Sequence, residues 1–238
     1  MRHSAPILVV TGTDTGVGKT VFSALLATWL RRQGTEVGVF KPVSSGGRED
    51  AGQLRRAAGA ELSLDEVNPW FFAAPLAPVL AARLEKRRVL LKDVLARGRA
   101  LAQRVEVLIV EGAGGLLSPL GEGFDTRDLV VGLRACPIVV ASNRLGAVNQ
   151  VRLVIEALPA KARTQAQVVL VRPPRPDRAA VSNAALLAEH FPAARIHDLP
   201  RLSRPHAPAA ALNHPAVVRT VGAVAVGCGL GPPPPCSG

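Results

Sequence analysis

Thr11-Gly-Thr-Asp-Thr-Gly-Val-Gly-Lys-Thr20 follows the apolar run 5–10 and leads into a helix-patterned segment, 21–30. A strand, a glycine-rich turn and a helix opening on Gly-Lys-Thr make a cradle for phosphate. Backbone N–H groups of the turn and the positive end of the helix meet the anion. Lys19 can reach terminal phosphates, and the Thr20 hydroxyl suits Mg²⁺. Gly12 and Gly18 enclose five residues, one more than the strict P-loop pattern.

Outward from this loop the chain alternates two periodicities. Val21, Leu25, Leu26, Trp29 and Leu30 recur at helical spacing, and Gly34 marks the stop. Residues 36–43 read as a buried strand that delivers Lys41 near its carboxyl end, before the small residues 44–47. Glu49-Asp50 opens a helix through Ala58, and 68–78 is a proline-punctuated apolar loop packed onto the domain. Helical patterns cover 79–84, 91–103, a face at Val148, Val151, Ile155 and Leu158, and 181–191. Further strands fall at 105–110, 137–141 and 167–171. Strands alternating with helices imply right-handed βαβ units. The expected fold is α/β, a parallel, Rossmann-like sheet of the P-loop NTPase type flanked by helices on both faces. Residues 1–203 form that domain. The Pro/Ala/Gly-rich stretch 204–238 reads as a weakly ordered tail, with 217–226 as a short strand or loose apolar patch.

Composition narrows the class. Hydrophobic residues at 48% of 238 support a packed core. No apolar run is long enough to span a bilayer, and the first five residues leave no room for a signal peptide. The expectation is a soluble, cytoplasmic protein with no membrane partner. Three cysteines without metal spacing suggest neither a zinc site nor a disulfide framework, and Cys136 reads as a small buried hydrophobe. The net charge of +11 favours anionic partners. With aromatics at 3% and none interleaved with the basic residues, a solvated basic surface is favoured over a nucleic-acid face.

In parallel sheets ligands bind beyond the carboxyl ends of the strands. Glu111 ends a buried strand and precedes a glycine run; beside a triphosphate such a carboxylate calls for a compensating cation, Mg²⁺. Asp50 is either a second metal ligand or a helix cap. Lys41 is either a surface lysine or, opposite Lys19, a holder of charge on a transferring phosphoryl group. Ser45 is a substrate donor or a turn residue. Gly146, Ala147, Val148 and Asn149 offer N–H groups to a carboxylate or simply start a helix.

Together these stretches resemble dethiobiotin synthetase, through TGTDTGVGKT at 11–20, KPVSSG at 41–46, Asp50, Asn68-Pro69, EGAGG at 111–115 with Ser118-Pro-Leu120, LGAVN at 145–149 and LPRL at 199–202. They span residues 6 to about 203 in that family's order, and the five-residue glycine interval is the family's form of the loop. The resemblance implies closure of a ureido ring from 7,8-diaminononanoate, CO₂ and MgATP through a carbamate and its mixed anhydride with phosphate. It implies that Gly16, Val17, Gly18, Lys19, Thr20 and Val21 bind nucleotide, with Gly112, Ala113 and Gly114 alongside and Pro200, Arg201 and Leu202 near the base. Lys41 and Lys19 would be the catalytic cations, and Thr20, Asp50 and Glu111 the Mg²⁺ ligands. Thr15 and Ser45 would contact the diamine or its carbamate. The family is a homodimer with the site at the subunit interface, where residues 146–149 of one subunit receive the substrate carboxylate of the other. Arg172-Pro173 stands where the family commonly places the Asn-Asp pair that reads adenine. Two other readings compete. A chromosome-partitioning ATPase that binds DNA needs a lysine five residues before Lys19, where this chain has Asp14. A catalytically degenerate nucleotide-binding homologue is the other, and the presence of Lys19, Thr20, Lys41, Asp50 and Glu111 argues against it.

Overall fold

The computed structural model describes residues 5–202 and 206–231. In chain order the elements are β1 (Ile7–Gly12), α1 (Lys19–Arg32), β2 (Val37–Phe40), β3 (Val43–Ser45), α2 (Glu49–Ala57), α3 (Leu64–Val67), β4 (Trp70–Phe72), α4 (Pro78–Leu84), α5 (Leu91–Ala102) and β5 (Val107–Glu111). They continue with α6 (Thr126–Gly132), β6 (Cys136–Ser142), α7 (Ala147–Ala157), α8 (Ala160–Arg163), β7 (Gln167–Val171), α9 (Asn183–Ala188), β8 (Ile196–Leu199), α10 (Pro208–Ala211) and α11 (Pro215–Gly227). Six strands pair in the order β2-β5-β1-β6-β7-β8, every pair parallel. β1, fully buried along its length, lies near the middle. From it the chain runs first to one side and later to the other, so the reversal opens a crevice at the carboxyl ends around β1. α10 and α11, which follow the last strand, pack on α1, while α5 packs with α6 and α7 with α9. This is as expected of right-handed crossovers that send α1 to one face and α5, α6, α7 and α9 to the other.

The expected strand over 36–43 is in fact two. Pro42 has no N–H for a ladder, and the Lys41 N–H instead donates to the Val67 carbonyl at 2.8 Å. The chain then leaves the main sheet, and β3 pairs with β4 in a parallel two-stranded sheet. The short elements α3, α6, α8 and β8 went unread in the sequence, and β4 lies within the stretch 68–78 expected to be a loop. β8 has only four residues, with His197 and Asp198 interrupting its apolar pattern.

The tail expectation is corrected for residues 206–231. Val217, Val221, Val224 and Ala225 are buried along one stripe of α11, which packs on α1 and β8. His214 caps its start, accepting the Ala216 N–H at 3.2 Å, and Pro215 sits in the first turn. Valine and glycine are poor helix formers, so local propensity points away from a helix here. Burying three valines contributes on the order of 5 kcal/mol and overrides it. Gly222 permits the close approach, since a Cβ there would meet the Trp29 ring at 3.2 Å. The prolines at 232–235 and residues 203–205 lie outside the described residues. Among the described residues, no helix is long and apolar enough to cross a membrane.

His197 lies beneath α11, its Nε2 2.9 Å from Gln167 Oε1. Burial pushes its pKa down from 6.5 to about 4. As pH falls the unfolded chain takes up this proton before the folded one. The associated stability is complete above pH 6.5 and is lost toward pH 4, by about 2–3 kcal/mol. Thermal melts across this window should drop steeply for the native chain and less for His197→Gln.

Candidate active site

The loop after β1 is set by Gly18, which caps α1 in the left-handed region at φ 103°. A side chain there would be strained and would press on Val171, 3.4 Å from the position of a Cβ. The N–H groups of the first turn of α1, Lys19 to Val21, have no partner within the helix and face the cleft. Lys19 is 7% exposed, and its Nζ donates to the Asp14 carbonyl across the loop at 2.9 Å. Burial is the largest influence on this ammonium and lowers its pKa; Glu111 opposes the shift and Lys41 adds to it.

Glu111 ends β5, fully buried. Its Oε1 accepts from Lys41 Nζ at 2.6 Å and from Thr20 Oγ1 at 2.8 Å. Its Oε2 is buried with no hydrogen-bond partner among the described residues. Asp50, exposed on α2, approaches the same ammonium at 3.4 Å. Burial pulls the Lys41 pKa down, but Glu111 and then Asp50 more than offset it, so the net shift is upward and the lysine stays charged. A buried carboxylate oxygen with nothing to accept is costly and marks a place for a cation. Thr20 Oγ1, Asp50 and Glu111 are hard oxygen donors and too few for an all-protein cage. Such a set fits Mg²⁺ better than a cation that needs an all-protein cage, since Mg²⁺ keeps waters and phosphate oxygens in its shell.

Lys41 is held from behind by Asn68, itself fully buried. The Asn68 amide donates to the Lys41 carbonyl at 2.7 Å, while its oxygen accepts from Ser44 Oγ at 2.8 Å and Arg48 Nε at 3.2 Å. Asn68→Ala should lower kcat by about tenfold, more than it raises KM, because it loosens the residue that carries the ammonium. Steady-state kinetics alongside a melting curve check this. A KM effect alone would show that Asn68 does not act through Lys41.

The cleft encloses about 640 Å³ at the carboxyl ends of the strands. Of the residues singled out in the sequence, Thr15, Gly16, Gly18, Lys19, Thr20, Val21, Lys41, Ser45, Asp50, Ala113 and Gly114 line it. Val17 is buried behind the loop, Glu111 lies within bonding reach of Lys41 and Thr20, and Gly112 packs on Thr126. Gly146, Ala147, Val148 and Asn149 stand at the start of α7, and Pro200, Arg201 and Leu202 follow β8; none of these lines the cleft of their own chain. Sequence reading missed the far wall at residues 75–78, where the Leu76 carbonyl accepts from Ser45 Oγ at 2.6 Å. Only the prolines flanking Leu76 and Ala77 signalled that wall. Ser118 also lines the cleft, accepting the Gly115 N–H at 2.9 Å. Arg172, beside the loop, is ion-paired to Asp198 at 2.6 Å.

A family model described as an AAA domain matches residues 7–209. The ATP-dependent dethiobiotin synthetase BioD of Anaeromyxobacter dehalogenans is 44% identical over 186 residues, which cover 76% of this chain and 83% of that protein. The enzyme of the same name from Methanococcus vannielii is 38% identical over 164 residues, 69% of this chain and 78% of its own. Among solved structures, a chain of the MinC:MinD cell division complex of Aquifex aeolicus superposes with a TM-score of 0.57 over 93% of this chain and 95% of its own. At 16% identity that likeness concerns the fold alone. Identity above two fifths across most of both chains is a statement of kinship, and the chain belongs to the ATP-dependent dethiobiotin synthetase family.

Proposed function

We propose that this protein closes the ureido ring of dethiobiotin from 7,8-diaminononanoate, CO₂ and ATP. The observation that carries the reading is the Glu111 carboxylate, one oxygen shared by Lys41 and Thr20 and the other without a partner among the described residues, buried beside a phosphate-binding loop. The N–H groups at the start of α1 and the Lys19 ammonium bind the β- and γ-phosphates. To reach them, Lys19 gives up its bond to the Asp14 carbonyl. Thr20, Asp50 and Glu111 would hold Mg²⁺, which when bound neutralises charge between the phosphates.

One amine of the substrate takes up CO₂ to give a carbamate, which attacks the γ-phosphorus as ADP leaves. Lys41, kept protonated by two carboxylates, faces the transferring phosphoryl group and holds its charge as the bond moves. The second amine then attacks the carbonyl carbon of the mixed anhydride, and phosphate departs with the ring closed. Ser45, Thr15 and the wall at 75–78 surround the space left for the diamine.

A homodimer fits the same reading. Gly146 to Asn149 present a helix start away from their own cleft, and the adjoining Leu145 is 76% exposed. A second subunit would cover that leucine and receive the helix start at its substrate carboxylate. Sedimentation of the purified chain tests this, with a monomer at assay concentration as the contrary result.

The activity is tested by phosphate release from MgATP with 7,8-diaminononanoate and bicarbonate, the product identified by mass. Diamine-dependent release with a dethiobiotin product is expected. Release indifferent to the diamine overturns the proposal, and ATP-dependent DNA retention would favour the partitioning class instead.

A further inference from the structure

At the end of the sheet opposite the cleft, two thiols from distant parts of the chain meet. Cys136 is the first residue of β6, and Cys228 is the residue that caps the end of α11. Their sulfurs are in contact at 2.9 Å across 92 residues of sequence. Cys136 is buried and Cys228 half-buried. The surroundings hold them there through neutral bonds. The Gln167 amide donates to the Gly227 and Gln165 carbonyls, both at 3.1 Å, and Cys136 Sγ also faces the Gln165 carbonyl at 3.4 Å. The end of α11 is thereby fixed over the starts of β6 and β7, with the sulfurs facing each other between them.

A metal reading does not fit, because no group of three His, Cys, Asp or Glu side chains gathers among the described residues. Hydrophobic packing alone does not account for the pair either. Sulfur set against sulfur at 2.9 Å, at the joint of two elements, is the juxtaposition from which a covalent bridge can close.

We propose that Cys136 and Cys228 are an oxidative modification site, closing an intrachain disulfide in the presence of a peroxide and stapling α11 to β6. The more exposed Cys228 thiolate attacks one peroxide oxygen, forming a sulfenic acid as the O–O bond breaks and water departs. The Cys136 thiol then attacks that sulfur, losing its proton, and the hydroxyl leaves as a second water. Two thiols are oxidised to one disulfide while one peroxide is reduced to two waters. The hydrogen bond to Cys136 and burial both hold Cys228 well above its usual thiol range. Closure is therefore slow at neutral pH and accelerates as the pH rises.

The bridge restrains the unfolded chain over a long loop and pins a helix that packs on α1, whose first turn carries Lys19 and Thr20. Its effect falls on stability and lies away from the cleft.

The experiment exposes the full chain to hydrogen peroxide, alkylates it under denaturing conditions and maps the peptides by mass. The expected result is a chain lighter by two hydrogens, with residues 136 and 228 in one cross-linked peptide and only Cys236 alkylated. Its melting temperature should rise by roughly 5–10 °C, reversibly with dithiothreitol. Cys228→Ser should show neither change. Alkylation of all three cysteines after oxidation, a bridge that includes Cys236, or over-oxidised sulfur at 136 or 228 without a bridge each overturns the proposal. The peptide map of the native chain decides it even where Cys228→Ser folds poorly, and it is independent of the reaction proposed for the cleft.

Discussion

Lys41→Ala is expected to lower turnover by about 10²–10³-fold while ATP still binds. Lys41 is 4% exposed, and its backbone is pinned on both sides, the N–H by Val67 and the carbonyl by Asn68. A cation held this rigidly needs little reorganisation when charge develops on a transferring phosphoryl group. Lys19 and the N–H groups of α1 are untouched by the substitution, so the phosphate cradle survives. The substitution also strips Glu111 of its one ion-pair partner among the described residues, and breaking a buried pair costs about 3–5 kcal/mol. The variant should therefore melt lower than the native chain, and MgATP should restore more stability to it. Calorimetric binding, single-turnover phosphate release and melting curves separate the two effects. Retention of near-native turnover would remove Lys41 from the chemistry.

Glu111→Gln is expected to lower turnover by about 10²-fold and to shift the Mg²⁺ requirement to higher concentration. The amide keeps the shape and can still accept from Thr20, so the loss isolates the charge. In the native chain that charge faces Lys41 and Thr20 through one oxygen, and the other has no hydrogen-bond partner among the described residues. It is also the largest influence raising the Lys19 pKa, so removing it lets burial lower that ammonium further. A Mg²⁺ titration of turnover, with ATP affinity measured with and without the metal, checks both consequences. An unchanged Mg²⁺ midpoint would show that the orphaned oxygen is not a metal ligand.

The residues at these positions were readable in the sequence to different degrees. The loop at 11–20 announces phosphate because its glycines and its Lys-Thr pair act through the backbone and the adjoining helix. Asp50 and Lys41 carried no such signal on their own, since an acid at a helix start is as often a cap and a lone lysine at a strand end is more often a surface residue. The wall at 75–78 gave almost none, being apolar and defined only by what it faces. The helix α11 was misread because its valines and glycines report local propensity, whereas its burial against α1 and β8 depends on residues far away in the chain.

By itself the sequence determined the alternation of strand and helix, the phosphate cradle and the sheet that carries it. All of these rest on neighbours within a few residues, where periodicity and turn chemistry are fixed. Only the tertiary structure decided that Thr20, Lys41 and Glu111 form one unit, across separations of 91 and 70 residues. It also decided that the second strand breaks at Pro42 to aim the lysine, and that the last helix closes one face of the sheet. Those outcomes follow from burial and from pairing of polar groups across the core, where a carboxylate, an ammonium or a thiol must meet whichever partner the packing brings to it.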